Sequence, residues 1–132
     1  MMAKAVHSMI RVRDEARSIA FYRAAFGLEV ADRFDFSGFT LIYLSNDESA
    51  FEVELTVNKD RTTPYEMGDG YGHLAVVVPD VDAARATAVA SGMVATECRD
   101  LQHEGVTLAR FFFLTDPDGY KIEVIRKGGR FG

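Results

Sequence analysis

The stretch His7-Ser-Met-Ile-Arg-Val-Arg-Asp14 decides the fold, because the chain repeats its pattern as His73-Leu-Ala-Val-Val-Val-Pro-Asp80. Each stretch reads as a strand that opens on a histidine and runs into an aspartate suited to cap a helix. A helix-like segment follows each one and stops near a glycine, Gly27 and Gly92. Each half then closes on a strand carrying a glutamate, Phe51-Glu-Val-Glu54-Leu in the first and Tyr120-Lys-Ile-Glu123-Val in the second. The interval from His7 to Glu54 nearly equals that from His73 to Glu123. Such a repeat predicts duplicated architecture, and it also supplies two imidazoles and two carboxylates, a donor set for one divalent metal.

Working outward, each half has the same order of elements. Residues 5–13 read as a strand with His7, Met9 and Arg11 on one face, and Ile19, Tyr22 and Phe26 give a helical stripe. Residues 28–36, 39–45 and 50–58 then read as strands. The segment 59–70 holds Pro64 and two glycines and reads as a linker. Beyond it, 71–78 reads as a strand, and a helix follows with Val81, Ala84, Ala88 and Val89 inward. Residues 94–99, 106–114 and 120–126 complete the second half as strands, with 101–105 as a loop. The expected organisation is α+β, a single domain over 1–132 with module one at about 5–58, linker 59–70 and module two at about 71–127.

Strand parity places the glutamates. On 50–58 Phe51, Val53, Leu55 and Val57 alternate with Glu52, Glu54, Thr56 and Asn58, and on 120–126 Tyr120, Ile122 and Val124 alternate with Lys121 and Glu123. Glu54 and Glu123 therefore point away from the face that packs on the helices. Glu52 competes with Glu54 on that face, but in the repeat Glu54 aligns with Glu123 while Glu52 aligns with Lys121. Arg11 shares a strand face with His7, and Asn58 shares one with Glu54.

Composition narrows the function classes. A chain of 132 residues with 48% hydrophobic residues can bury a core. A formal net charge of −5 with pI near 5.1 argues against nucleic acid or an anionic membrane as partner. No apolar run approaches the roughly 18 residues a membrane-spanning helix needs. Cys98 is alone, which fits a reducing cytoplasm, and the first residues lack the apolar stretch of a signal peptide.

These residues carry a family resemblance along the whole chain. His7-Ser-Met-Ile-Arg11-Val, Arg17-Ser-Ile-Ala-Phe-Tyr22, Phe26-Gly-Leu, Glu54-Leu-Thr-Val-Asn58, Tyr71-Gly-His73 and Asp116-Pro-Asp-Gly-Tyr-Lys-Ile-Glu123 resemble the vicinal oxygen chelate superfamily, and within it short bacterial glyoxalase I (lactoylglutathione lyase). The Asp-Pro-Asp-Gly turn is common across the superfamily, whereas the Glu-Leu-Thr-x-Asn segment is more specific to the glyoxalase branch. The resemblance implies two tandem βαβββ modules of the glyoxalase/bleomycin-resistance/dioxygenase type, with curved sheets forming a metal-binding cup. It implies one divalent metal per site (nickel, cobalt or zinc) held by His7, Glu54, His73 and Glu123, with glutathione as co-substrate contacted by Arg11 and Asn58. It further implies a homodimer with sites at the interface.

The implied reaction is isomerisation of the methylglyoxal–glutathione hemithioacetal to S-lactoylglutathione, a detoxification step, by proton transfer through a metal-bound enediolate. Glu123 is expected as the principal base, with Glu54 as ligand and second proton-transfer group. The residues leave alternatives open: an epimerase acting on a coenzyme A thioester, an extradiol dioxygenase, a thiol transferase acting on an antibiotic, or a non-catalytic ligand-binding protein. Four retained donors weigh against the last three. The chain departs from relatives in Leu101-Gln-His103-Glu-Gly105, where they often carry a lysine for a glutathione carboxylate.

Overall fold

A computed structural model describes residues 1–132. The chain divides into two compact units, Met1–Glu66 and Met67–Gly132. The first holds β1 (His7–Arg11), α1 (Glu15–Phe26), β2 (Glu29–Asp35), β3 (Phe39–Asn46) and β4 (Ser49–Asn58). The second holds β5 (Leu74–Val78), α2 (Val81–Ala90), β6 (Val94–Ala95), β7 (Arg99–His103), β8 (Val106–Thr115) and β9 (Lys121–Arg126). Both are βαβββ-like modules, the second with one strand broken in two.

Each helix forms where the chain offers a cap. Asp14 accepts from the Arg17 backbone N–H at 3.1 Å, and Asp80 accepts from that of Ala83 at 3.0 Å. Helix α1 ends at Gly27, whose φ of 63° is left-handed, and its N–H donates to the Arg23 carbonyl.

In the first module the sheet order is β1-β4-β3-β2, with β1 parallel to β4 and the other pairs antiparallel. Ile10, Val12, Ile42, Leu44, Val53 and Leu55 are buried on one face. This is the face toward α1: Arg33, opposite Ile42 in the register, reaches Glu15 in the helix's first turn through Nε at 2.5 Å and Nη2 at 3.1 Å. Tyr22 and Ser18 of α1 are fully enclosed there. The second module repeats the plan, with β5 parallel to β9 and antiparallel to nothing, and β9 antiparallel to β8. Its core holds Phe112, Leu114, Ile122, Val124 and Val81. Arg110 grips Asp82 of α2 through two bonds at 3.0 and 2.7 Å.

Several expectations are corrected. Neither sheet closes or curls strongly, so the expected cup of curved sheets is absent. The first sheet is open at β1 and β2, and the second is open at β5 and at β6 and β7. Strands left unpaired at both edges keep each sheet open. The expected strand 94–99 is two pieces, a two-residue β6 and a separate β7 that takes in most of the expected loop 101–105. Glu104 (φ 50°) and Gly105 (φ 80°) form the two-residue turn between β7 and β8, the left-handed pair that suits the twist of a tight hairpin. Val89, expected inward, is exposed.

Because the Asp14 carboxylate satisfies an otherwise orphaned helix donor, Asp14→Ala is expected to lower unfolding free energy by about 1 kcal/mol, and Asp14→Asn by much less. Urea titration measures both.

Candidate metal centre

The parallel register of β1 on β4 sets Met9 opposite Glu54 and His7 opposite Glu52. His7 therefore reaches Glu54 diagonally across the pair, on the face away from α1. Its Nε2 lies 3.8 Å from Glu54 Oε1. The parallel register of β5 on β9 sets Ala75 opposite Glu123, the same relation, with His73 one residue ahead of the strand. His73 Nε2 lies 3.3 Å from Glu123 Oε1. Each module thus brings one imidazole to one carboxylate by the same route.

The two members of each pair differ in exposure. The side chains of His7 and His73 are 39% and 40% exposed, while those of Glu54 and Glu123 are 12% and 20%. In both modules the carboxylate sits in the sheet face and the imidazole stands at its rim.

A ring shelters each pair. Tyr43 is opposite Glu54 on β3, and its ring meets His7 edge-on with centroids 5.8 Å apart. Phe113 is opposite Glu123 on β8, and it meets His73 edge-on at 5.0 Å. Tyr43 differs in carrying a hydroxyl on the ring that stands opposite Glu54. Interaction with the Glu54 carboxylate foremost, then burial and the charges of Glu54 and Glu52, holds its phenol above the usual value. Parity along β3 and β8, read against the repeat, would have paired Tyr43 with Phe113; the sequence reading singled out neither as a partner of the glutamates.

The outer residues fall on the same face of the first module. Arg11 is opposite Thr56 and Asn58 opposite Phe39. Arg11 is exposed, and the Asn58 amide donates to the Tyr65 hydroxyl at 3.2 Å, a contact with no signal in strand periodicity. The Tyr65 ring in turn carries the Arg61 guanidinium 4.3 Å from its centroid. His103 lies apart from the His73–Glu123 pair in the register, exposed on β7 beside the hairpin turn, with Glu104 at 3.9 Å. The Asp116-Pro-Asp-Gly119 turn sets the start of β9: Asp116 Oδ1 accepts from the Asp118 and Tyr120 backbone N–H groups, both at 2.9 Å, three residues before Glu123.

An imidazole with a carboxylate suits a borderline divalent cation. One pair gives two donors, and no group of three or more His, Cys, Asp or Glu side chains able to hold a metal ion is found. The imidazole and carboxylate of each pair are donors of the type a divalent metal takes.

Comparison with known proteins gives the family. Residues 4–124 match the model of the Glyoxalase/Bleomycin resistance protein/Dioxygenase superfamily. The lactoylglutathione lyase of Neisseria meningitidis serogroup A is 38% identical over 92% of this chain and 89% of its own. That of Haemophilus influenzae is 38% identical over 91% of this chain and 90% of its own. Among solved structures, a trypanothione-dependent glyoxalase I from Leishmania major superposes with a TM-score of 0.76 at 32% identity, covering 96% of this chain and 88% of that one. Glyoxalase I from Zea mays superposes with a TM-score of 0.83 at 28% identity, and there the chain spans only 45% of the maize protein. The chain belongs to the vicinal oxygen chelate superfamily, in its glyoxalase I (lactoylglutathione lyase) branch. Membership carries with it a metal-assisted, lyase-type chemistry. No helix is long and apolar enough to cross a membrane.

In metal-free protein the Tyr43 phenol is expected to titrate above its ordinary 10.0, and Glu54→Gln to bring it down. A phenol raised on folding lends stability that is intact below its unfolded value and is lost as pH rises through the folded one. Phenolate absorbance of the two proteins on raising pH measures the difference.

Proposed function

We propose that this protein isomerises the hemithioacetal of methylglyoxal and glutathione to S-lactoylglutathione, a step of methylglyoxal detoxification. The observation that carries this reading is the His–Glu pair made twice in one register, His7 with Glu54 and His73 with Glu123, in a chain 38% identical to lactoylglutathione lyases. The same reading takes the two modules as one functional domain over 1–132. It takes the active form as a homodimer whose sites lie at the interface.

His7, Glu54, His73 and Glu123 would hold one nickel, cobalt or zinc ion. When bound, such a cation supplies a Lewis acid for the negative charge that develops on two neighbouring substrate oxygens. The remaining work falls to side chains. Glu123 takes the proton from the carbon bonded to sulfur and delivers one to the adjacent carbon, so the hydroxyl carbon becomes the carbonyl of the thioester and the former ketone becomes the alcohol. Glu54 serves as a fixed donor and as the second proton-transfer group. Arg11 offers a guanidinium to a glutathione carboxylate, and Asn58, steadied by Tyr65, offers its amide. The trypanothione-dependent relative has a different thiol partner, so glutathione and trypanothione are compared directly in the assay.

Metal-stripped protein is expected to be inactive toward the hemithioacetal and to regain activity with nickel, cobalt or zinc. No turnover with any metal or either thiol would end this reading. Glu123→Gln is expected to keep its metal and lose about 10²–10⁴-fold in kcat, the range for a positioned general base. Near-normal kcat would remove Glu123 as the base.

A further inference from the structure

A closed chain of contacts leaves Asn58 at the end of β4 and returns to it. The Arg61 backbone N–H donates to the Asn58 carbonyl at 3.1 Å, which folds the chain back just past the strand. The Arg61 side chain then holds the residues that follow. Its Nε donates to the Thr63 carbonyl at 2.9 Å, and its Nη2 donates to that of Pro64 at 2.7 Å. The same guanidinium lies over the Tyr65 ring, 4.3 Å from the centroid. The Tyr65 hydroxyl completes the circuit by accepting from Asn58 Nδ2 at 3.2 Å. From the other side, the Lys59 backbone N–H donates to the Gly38 carbonyl at 3.0 Å, and the Lys59 ammonium reaches the Phe36 carbonyl and Asp35.

We propose that Arg61 and Tyr65 are positioning residues that set Asn58 for the thiol co-substrate, so that the turn 59–65 tunes affinity for the thiol. The proposal rests on the glutathione-dependent reading above. Asn58 falls on the sheet face of Glu54, about 13 Å along the strand from it at the usual rise per residue. A peptide thiol of three residues can cover that span. A half-buried amide at a strand end has several rotamers open to it, and binding through it costs the entropy of choosing one. The Tyr65 hydroxyl makes that choice before a ligand arrives. It also orients the amide. With Nδ2 turned to Tyr65, Asn58 Oδ1 has no donor within the chain and is left to accept from an N–H of the peptide. Arg61 acts one step further back: it stiffens the turn and fixes the ring that presents the hydroxyl.

The test uses the full-length, nickel-loaded protein. Calorimetry follows binding of S-hexylglutathione, a thioether that cannot react, beside steady-state kinetics on the glutathione hemithioacetal. Tyr65→Phe keeps the ring under Arg61 and removes only the hydroxyl. It is expected to weaken thioether binding and raise KM about 5-fold, the scale of one hydrogen bond, with kcat within about twofold of wild type. Arg61→Met is expected to shift both by about 3-fold, the scale of one exposed cation–ring contact. Asn58→Ala separates positioning from a role in folding the turn. If Tyr65 acts through Asn58, adding Tyr65→Phe to Asn58→Ala changes binding by less than about twofold, a non-additive cycle. Binding within about twofold of wild type in Tyr65→Phe, or an equal loss when it is added to Asn58→Ala, would overturn the proposal. Unchanged binding in Arg61→Met would remove Arg61 alone. The reading beneath fails differently: a wild type that neither binds the thioether nor turns over the hemithioacetal ends the glutathione reading and this proposal with it. Wild-type turnover beside an indifferent Tyr65→Phe ends only the role of the turn.

Discussion

The parallel pairing of the first strand of each module with its last is the constraint on which the rest depends. It sets Met9 against Glu54 and Ala75 against Glu123, and so carries the histidine two residues earlier to its glutamate. A slip of one residue in either ladder would turn the glutamate into the helix-packed core and leave the histidine facing a bare sheet. The buried faces hold the register. Leu55 and Val53 must meet α1, and Ile122 and Val124 must meet the apolar core of the second module, so the alternating polar residues have only the other face to occupy. Placement of the donor pairs is thus a by-product of core burial, which is the largest favourable term in folding.

The parts of this plan set by local chemistry were legible in the sequence. Asp14, Asp80 and Gly27 act at the helix ends where their residue types predict. The alternation Phe51 to Asn58 gave the faces of β4 because apolar and polar residues there strictly alternate. Where tertiary context decides, the reading failed. The Glu104–Gly105 hairpin lacks the Asn-Gly or Asp-Gly signal of its turn type, so β7 passed for a loop. Val89 fits a helical stripe, yet α2 turns it to solvent. A cup needs sheet curvature, which depends on strand number and edges that periodicity does not encode. Tyr43 has an ordinary place in a strand pattern, and only the ladder shows it facing Glu54.

Burial and charge are balanced differently within each pair. Glu54 and Glu123 are largely withdrawn from water, and their histidines are not. A withdrawn carboxylate needs partners to offset its lost hydration, and the neighbouring imidazole is one in each module. The rim imidazoles keep contact with solvent and so stay accessible to an arriving ligand. The ion pairs elsewhere, Arg33 with Glu15 and Arg110 with Asp82, lie on the helix side and tie the first turn of each helix to its sheet. Being exposed, they add little to stability.

All the ladders described run within a module: β1 to β4 form one sheet and β5 to β9 another. An internally duplicated chain of this kind can diverge one half at a time. A Tyr or Phe opposite the glutamate is a difference of one oxygen that leaves the register and the core of that half intact. Duplication therefore gives more than a second copy of the donors. It gives two separately adjustable copies, and mutation can specialise one carboxylate without disturbing the other.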